Sequence, residues 1–291
     1  MNKTLLALYG LKWNPFSADV PPETLWLSPQ LEHFCWRLEQ QVRDGGFALI
    51  TGDPGTGKSV ALRLVAHRLS RLPEVTVAVL NRPQSHLGDF YRELGELFGV
   101  PLSPHNRWCG FKALRGKWLE HLGSTLFRPL LLIDEAQAMV PAVLSELRIL
   151  SSTDFDSRSI LTVVLAGDQR LLSQFRDPEF LPVASRIRAR LTLDYRAPEE
   201  LAEYINHVLE QAGNPRLMTP ELIGALSEHA AGNYRVLCNL AAELLAEAAR
   251  REVLQLDEKL FLEVFRPPSA SKERRRGTPS ASNPTVVPSR P

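Results

Sequence analysis

The chain has 291 residues, 44 % of them hydrophobic and 23 % charged, which suffices for one large core with a smaller companion and excludes a wholly disordered or fibrous protein. Its 34 basic and 33 acidic residues leave a net charge of +1, so no global field advertises nucleic acid and any such contact must come from local patches. Cys35, Cys109 and Cys238 lack the spacing of a disulfide scaffold or zinc site and read as reduced packing residues, and with neither a secretory signal nor an apolar run near the ~20 residues of a membrane span, a soluble cytoplasmic protein is expected.

Residues 1–27 carry Tyr9, Trp13, Pro15, Phe16, Pro21, Pro22 and Trp26 and read as an irregular segment packing on the core. Its aromatic residues have two readings, core packing or contact with a base such as adenine. Ser28 and Pro29 then cap a helix whose Leu31, Phe34, Cys35, Leu38 and Val42 face inward, and Gly45-Gly46 ends it. Phe47 to Thr51 is an apolar run that reads as a buried strand, and Val60 to Leu69 carries Leu62, Val65, Ala66 and Leu69 at helical spacing.

Between that strand and that helix lies Gly52-Asp53-Pro54-Gly55-Thr56-Gly57-Lys58-Ser59, a complete phosphate-binding loop in its required context. The glycines let backbone N–H groups converge on a triphosphate at a helix N-terminus, where the dipole favours an anion. Gly52 through Val60 are therefore the candidate nucleotide contacts. Within them Lys58 is suited to reach the β- and γ-phosphates, and the Ser59 hydroxyl to ligate a magnesium ion. ATP and Mg2+ are the expected cofactors.

A strand is expected at 75–80. Residues 103–118 interleave Arg107, Lys112, Arg115 and Lys117 with Trp108, Phe111 and Trp118 and contain no acid, which suits either a phosphate-facing surface or a solvated helix with its aromatic side buried. The strand at 130–134 ends in Asp134-Glu135. Asp134 is placed to hold the magnesium through a water and Glu135 to orient and deprotonate an attacking water. The strand at 160–166 ends in Gly167-Asp168-Gln169, where Asp168 or Gln169 could sense the γ-phosphate, or the Gly-Asp pair could simply turn the chain.

Ser185-Arg186-Ile187-Arg188-Ala189-Arg190 places cations on alternating positions, a poor recipe for a buried element, so an anionic partner is expected. An arginine here could reach a neighbouring subunit's γ-phosphate, or the three could solvate a face. A strand at 190–194 follows. From Pro198 the pattern is helical only, with helices at 199–210, 219–231, 234–251 and 257–265. Arg235 lies in the first turn of the third of these, where a cation is disfavoured by the helix dipole unless it has an anionic partner. Past Arg266 the chain is rich in Pro, Ser and Arg and is expected to be disordered. The expected organisation is an N-terminal segment at 1–27, an α/β core at 28–197 with a parallel sheet covered on both faces, a helical unit at 198–265 and a tail at 266–291.

The motifs Tyr9-Gly-Leu-Lys-Trp-Asn-Pro-Phe16, Leu27-Ser-Pro29, Gly52 to Ser59, Leu132-Ile-Asp-Glu-Ala-Gln137 and Gly232-Asn-Tyr-Arg235 together resemble the AAA+ ATPases of the ExeA-like type and the related transposition partners of the TniB, TnsC and IstB kinds. The resemblance spans about residues 1–265. It implies a P-loop fold with a five-stranded parallel sheet of order 5-1-4-3-2, a small helical lid, and head-to-tail assembly into a ring or filament with nucleotide between subunits. Carried onto this chain, it puts Asp168 at the first sensor, Arg186 at the trans-acting finger and Arg235 at the second sensor. Gly167-Asp168-Gln169-Arg170 departs from the family's more usual Gly-Gln-Pro-Glu. The transposition reading implies duplex DNA and a transposase as partners. The alternative is an ExeA-like ATPase energising assembly of a secretion apparatus.

Overall fold

The computed structural model describes residues 2–102, 107–124, 128–155 and 157–265. The tail from 266, with Lys272 and Arg274 to Arg276, lies outside the described residues, as do residues 103–106 of the basic-aromatic stretch.

Five parallel strands form the central sheet: β1 (Gly46–Gly52), β2 (Val75–Leu80), β3 (Arg128–Ile133), β4 (Thr162–Gly167) and β5 (Ile187–Leu193). Their spatial order is β2-β3-β4-β1-β5, the expected 5-1-4-3-2 read from the other edge. The central strands are apolar throughout because both faces are covered. Phe47 and Leu49 of β1, Leu131 and Ile133 of β3, and Val163 and Leu165 of β4 point into one cluster. Ala48, Ile50, Leu130, Leu132, Val164 and Ala166, the alternate residues, point into the other.

The first face is covered by α4 (Leu87–Leu97), α5 (Arg107–Gly123), α6 (Pro141–Ser151) and the short α7 (Gln169–Gln174) and α8 (Leu181–Ala184), the second by α2 (Pro29–Asp44) and α3 (Lys58–Leu69). Ser28 caps α2 by accepting from Leu31 N at 3.4 Å, as its position before a first-turn proline requires. Leu38, Leu130, Leu131 and Ile133 have no measurable exposure, and burial of each such side chain stabilises by roughly 1.5–3 kcal/mol.

The arginine-rich stretch corrects the expectation that it avoids buried structure. It is most of β5, an edge strand with strict alternation: Ile187, Ala189, Leu191 and Leu193 are buried, while Arg188 and Arg190 are exposed. The cations occupy the solvent-facing set of a half-buried strand, which is the ordinary period-two pattern. The strand accordingly begins three residues earlier than its apolar end suggests.

A third cluster is helical. It joins α9 (Pro198–Ala212), α10 (Pro220–His229), α11 (Tyr234–Arg250) and α12 (Glu258–Val264). Thr219, Asn233 and Asp257 cap the last three through their side chains. The segment before Pro29 is less irregular than expected, since Asn2–Tyr9 forms α1. Proline and glycine begin only at Gly10, and Leu5, Leu6 and Tyr9 share one helical face against the helical cluster. Tyr9, Leu11 and Phe16 are buried there, and the Tyr9 hydroxyl donates to Val253 O at 2.8 Å. Among the described residues no helix is long and apolar enough to cross a membrane.

Candidate active site

A cleft of about 570 Å3 opens at the C-terminal ends of the strands, between the sheet and the helical cluster. Its polar end is built by three strand-to-helix turns. The first leaves β1 at Gly52 and enters α3 at Lys58 through Gly55 (φ +87°) and Gly57 (φ +101°), both in the left-handed region open to glycine. The Lys58 side chain is buried, and its ammonium donates to the carbonyls of Gly52 at 2.9 Å and Asp53 at 3.1 Å. Thr56 is likewise held inside the loop by donating to Asp53 O at 2.8 Å.

The second turn follows β3. Asp134 Oδ2 accepts from the Ser59 hydroxyl at 2.6 Å, and its Oδ1 accepts from Glu135 N at 2.9 Å. Two hard oxygen donors thus meet beside the phosphate loop, a donor set that fits magnesium, which takes one or two protein oxygens and fills its octahedron with water and phosphate. Glu135 has φ +51°, a strained setting for a non-glycine residue, and it lines the cleft. Its carboxylate accepts from the side-chain amide of Gln137.

The third turn follows β4. Asp168 caps α7 (Gln169–Gln174) by accepting from Arg170 N at 2.9 Å, and it is paired with the Arg170 guanidinium at 2.7 Å. That hydrogen bond holds its carboxyl below the usual range, helped by the Lys58 charge across the cleft. The like-charge problem of an aspartate beside a triphosphate is therefore met by a cation two residues on. Gln137 Oε1 accepts from Asp168 N at 3.3 Å, so one buried amide links the second and third turns. Gly167 makes this possible, because a Cβ there would lie 2.6 Å from Gln137 Oε1.

From the helical side, Arg235 stands in the first turn of α11 and lines the cleft. The cap residue Asn233 donates from Nδ2 to Pro54 O at 3.0 Å, joining α11 directly to the phosphate loop. The apolar end of the cleft is lined by Trp13, Val20, Leu25, Trp26 and Leu31 among others. Of the N-terminal aromatic residues, Tyr9 belongs to the helical cluster, Trp13 and Phe16 to both that cluster and the cleft wall, and Trp26 to the cleft wall. Cys35 is buried and Cys238, in the cleft wall, packs against the helical cluster, as expected of packing residues, whereas Cys109 is exposed.

The structure thus gathers Gly55 to Val60, Pro54, Glu135, Asp168 and Arg235 around one cleft, with Asp134 bonded to Ser59 at its edge. Gln169 is exposed and outside it. Arg186, Arg188 and Arg190 are also outside it. Arg186 precedes β5, at the opposite end of the strand from the cleft, and the seven residues of that strand put its backbone roughly 23 Å away. Arg170, Gln137, Asn233 and Arg196 all touch the site and were not singled out from the residues themselves. Arg170 sits at the end of β4 where a sensor is expected, and its one signal in the sequence is the charge balance it gives Asp168.

A family profile described as an AAA domain matches residues 41–175. The chain is 31 % identical over 250 residues to the General secretion pathway protein A of Aeromonas hydrophila, covering 83 % of this chain and 44 % of that protein. It therefore spans less than half of that relative's length. The Aeropyrum pernix ORC2 protein superposes with a TM-score of 0.68 at 18 % identity, over 86 % of this chain and 70 % of that one. The Aeropyrum pernix ORC1 protein, solved in complex with DNA, gives 0.65 at 18 % identity, over 86 % and 67 %. At such identities the likeness is one of fold, and the fold is the P-loop AAA+ architecture.

Proposed function

We propose that this chain, whose fold is the P-loop AAA+ architecture, is an ATPase whose cleft binds Mg-ATP between successive subunits and cleaves its terminal phosphoanhydride with water. The observation that carries this reading is the Ser59–Asp134 contact of 2.6 Å beside Lys58 and Glu135. Lys58 exchanges its carbonyl partners for β- and γ-phosphate oxygens, and backbone N–H groups from Gly52 to Val60 hold the triphosphate. Ser59 and Asp134 would hold magnesium, which neutralises charge on the β- and γ-phosphates. Glu135, oriented by Gln137, takes a proton from the attacking water, and ADP and phosphate are the products. Asp168 with Arg170, and Arg235 from the helical side, flank the γ-phosphate.

Arg186 completes the site of the adjoining subunit, since it is too far from its own cleft. A homo-oligomer, ring or filament, follows from that division of parts. We further infer that assembly takes place on duplex DNA and serves a transposase partner. Support comes from α5, where Trp108, 64 % exposed, stacks on Phe111 with centroids 5.6 Å apart, Lys112 lies over Trp108, and Arg115 lies over Phe111. An exposed tryptophan backed by a part-buried phenylalanine and flanked by cations, with no acid between Arg107 and Trp118, suits a nucleic-acid backbone.

The competing reading, assembly of a secretion apparatus, is favoured by the 31 % identity to General secretion pathway protein A. Titrating a labelled duplex with protein at 50 and 200 mM salt, with ATP or ADP, separates the two. The DNA reading expects ATP-dependent binding that weakens steeply with salt and is reduced in Trp108→Ala and Lys112→Ala. No duplex affinity in either nucleotide state would leave the secretion reading standing.

A further inference from the structure

The aspartate that ends β4 is poorly suited to touch a triphosphate itself, because both of its oxygens are engaged. Asp168 Oδ1 accepts from Arg170 N at 2.9 Å, and Oδ2 accepts from Arg170 Nε at 2.8 Å and lies 2.7 Å from Nη2. The side-chain hydrogen bond from Arg170 also holds the Asp168 carboxyl below its ordinary range, so it stays ionised and has no proton to offer a phosphate oxygen. A group that reads the γ-phosphate at this turn has to be a different one.

Arg170 is the residue with donors left over. Nε and Nη2 serve the same carboxylate oxygen, and Nη1 carries no hydrogen bond among the described residues. The side chain is 73 % exposed and lines the cleft with Lys58, Ser59 and Glu135, so solvent rather than protein lies against most of its surface. Its charged form is favoured first by the hydrogen bond to Asp168, then by the Asp168 charge, and also by the Glu135 carboxylate, which puts the guanidinium in the field of the residue that faces the attacking water. A planar fork with unbonded N–H groups matches the oxygens of a terminal phosphate, and the pairing with Asp168 restrains it before any ligand arrives.

Resting on the nucleotide reading above, we propose that Arg170 is the group at the end of β4 that binds the γ-phosphate, and that Asp168 acts on Arg170 alone, holding the guanidinium at the cleft wall. The residue that the family resemblance puts at the first sensor is then a tether. ATP is told from ADP here by the cation two positions later.

The test measures affinity for Mg-ADP and for the β,γ-imido analogue of Mg-ATP, which keeps the terminal phosphate and resists hydrolysis, in wild type, Arg170→Ala, Asp168→Asn and the double variant. Asparagine keeps a cap for α7 and removes the charge. Arg170→Ala is expected to weaken the analogue about ten-fold, the low end for a charge-assisted contact because the guanidinium is exposed, and to leave ADP unchanged. The double variant is expected to show the same loss, whereas Asp168→Asn alone stays within about two-fold of wild type for both nucleotides. If Arg170 did no more than cancel the Asp168 charge, the double variant would regain wild-type affinity for the analogue, and that result overturns the proposal. A loss of about ten-fold in Asp168→Asn alone assigns the contact to Asp168 and overturns it too, as do equal losses for the two nucleotides, or none, in Arg170→Ala. Arg170→Gln, which keeps most of the side chain's length, carries the same expectations if the alanine variant fails to fold. Wild-type protein that binds neither nucleotide would instead overturn the nucleotide reading itself.

Discussion

Asn233 performs two tasks with one side chain, and two substitutions separate them. Its Oδ1 accepts from the backbone N–H of Arg235 at 3.0 Å and of Val236 at 3.2 Å, closing the first turn of α11. Its Nδ2 donates across the cleft to Pro54 O at 3.0 Å. Alanine removes both. Losing the cap costs about 1 kcal/mol, and losing the amide-to-carbonyl bond about 0.5–1.5 kcal/mol more. The sum, about 1.5–2.5 kcal/mol, lowers Tm by roughly 3–10 °C for a chain of this size. Aspartate keeps the capping acceptor and adds a charge the helix N-terminus favours, but it has no N–H for Pro54. Ligand-free Asn233→Asp should therefore unfold closer to wild type than to Asn233→Ala. Both variants lose the tie to the phosphate loop, so ATP affinity should fall by roughly 2- to 13-fold, the equivalent of that one bond. Thermal unfolding with and without Mg-ATP reads both quantities, since a ligand stabilises in proportion to RT ln(1 + [L]/Kd). If ligand-free aspartate and alanine variants melt together, the cap is not what Asn233 contributes. If Asn233→Ala shows the wild-type shift with ATP, the tie to Pro54 is irrelevant to the nucleotide.

Glu135→Gln should bind ATP normally and hydrolyse it at least about 100-fold more slowly, as loss of a general base requires; normal turnover in a phosphate-release assay would refute its role. Arg186→Ala and Lys58→Ala should each be inactive alone, and a mixture should recover part of the activity, because some interfaces then combine an intact loop with an intact finger. No recovery at any mixing ratio would show that Arg186 does not act across subunits. Glu247 is held at a pKa of about 2 by hydrogen bonds from Arg250 and Arg251 at the end of α11. A depressed carboxylate stabilises the fold above its ordinary value near 4.3 and loses that contribution as pH falls toward 2. The Tm difference between wild type and Glu247→Gln should thus be present at pH 6, shrink as pH is lowered to 2.5, and shrink at pH 6 in high salt; a difference independent of pH would rule the ion pairs out.

The fold was readable where burial is two-sided and local. Phe47 to Thr51 and Leu130 to Ile133 are continuous apolar runs because helices cover both faces, and a phosphate loop after the first such run leaves little choice of architecture. Reading failed where one face is open. In β5 the alternation of Arg188 and Arg190 with Ile187 and Ala189 is a strand signal that looks like a charge cluster when the cations are read first. Within the site, residues of the loop and of Asp134-Glu135 were legible because their chemistry depends on near neighbours in sequence. Gln137 and Arg196 were not. Gln137 acts on a residue 31 positions away, and Arg196 meets Gln30 across 166; neither residue type advertises such a partner.

The way the two halves of the cleft meet bears on how nucleotide could move them. The sheet clusters and the helical cluster are packed separately. Between them run polar links: Asn233 to Pro54, Arg196 to Gln30, and His207 to Thr24 O at 3.0 Å. Each such bond contributes about 1 kcal/mol net, whereas a micromolar ligand supplies about 8 kcal/mol. Two of the three, those of Asn233 and Arg196, come from residues lining or bordering the cleft. Binding can therefore strengthen or replace these links at little cost to either core.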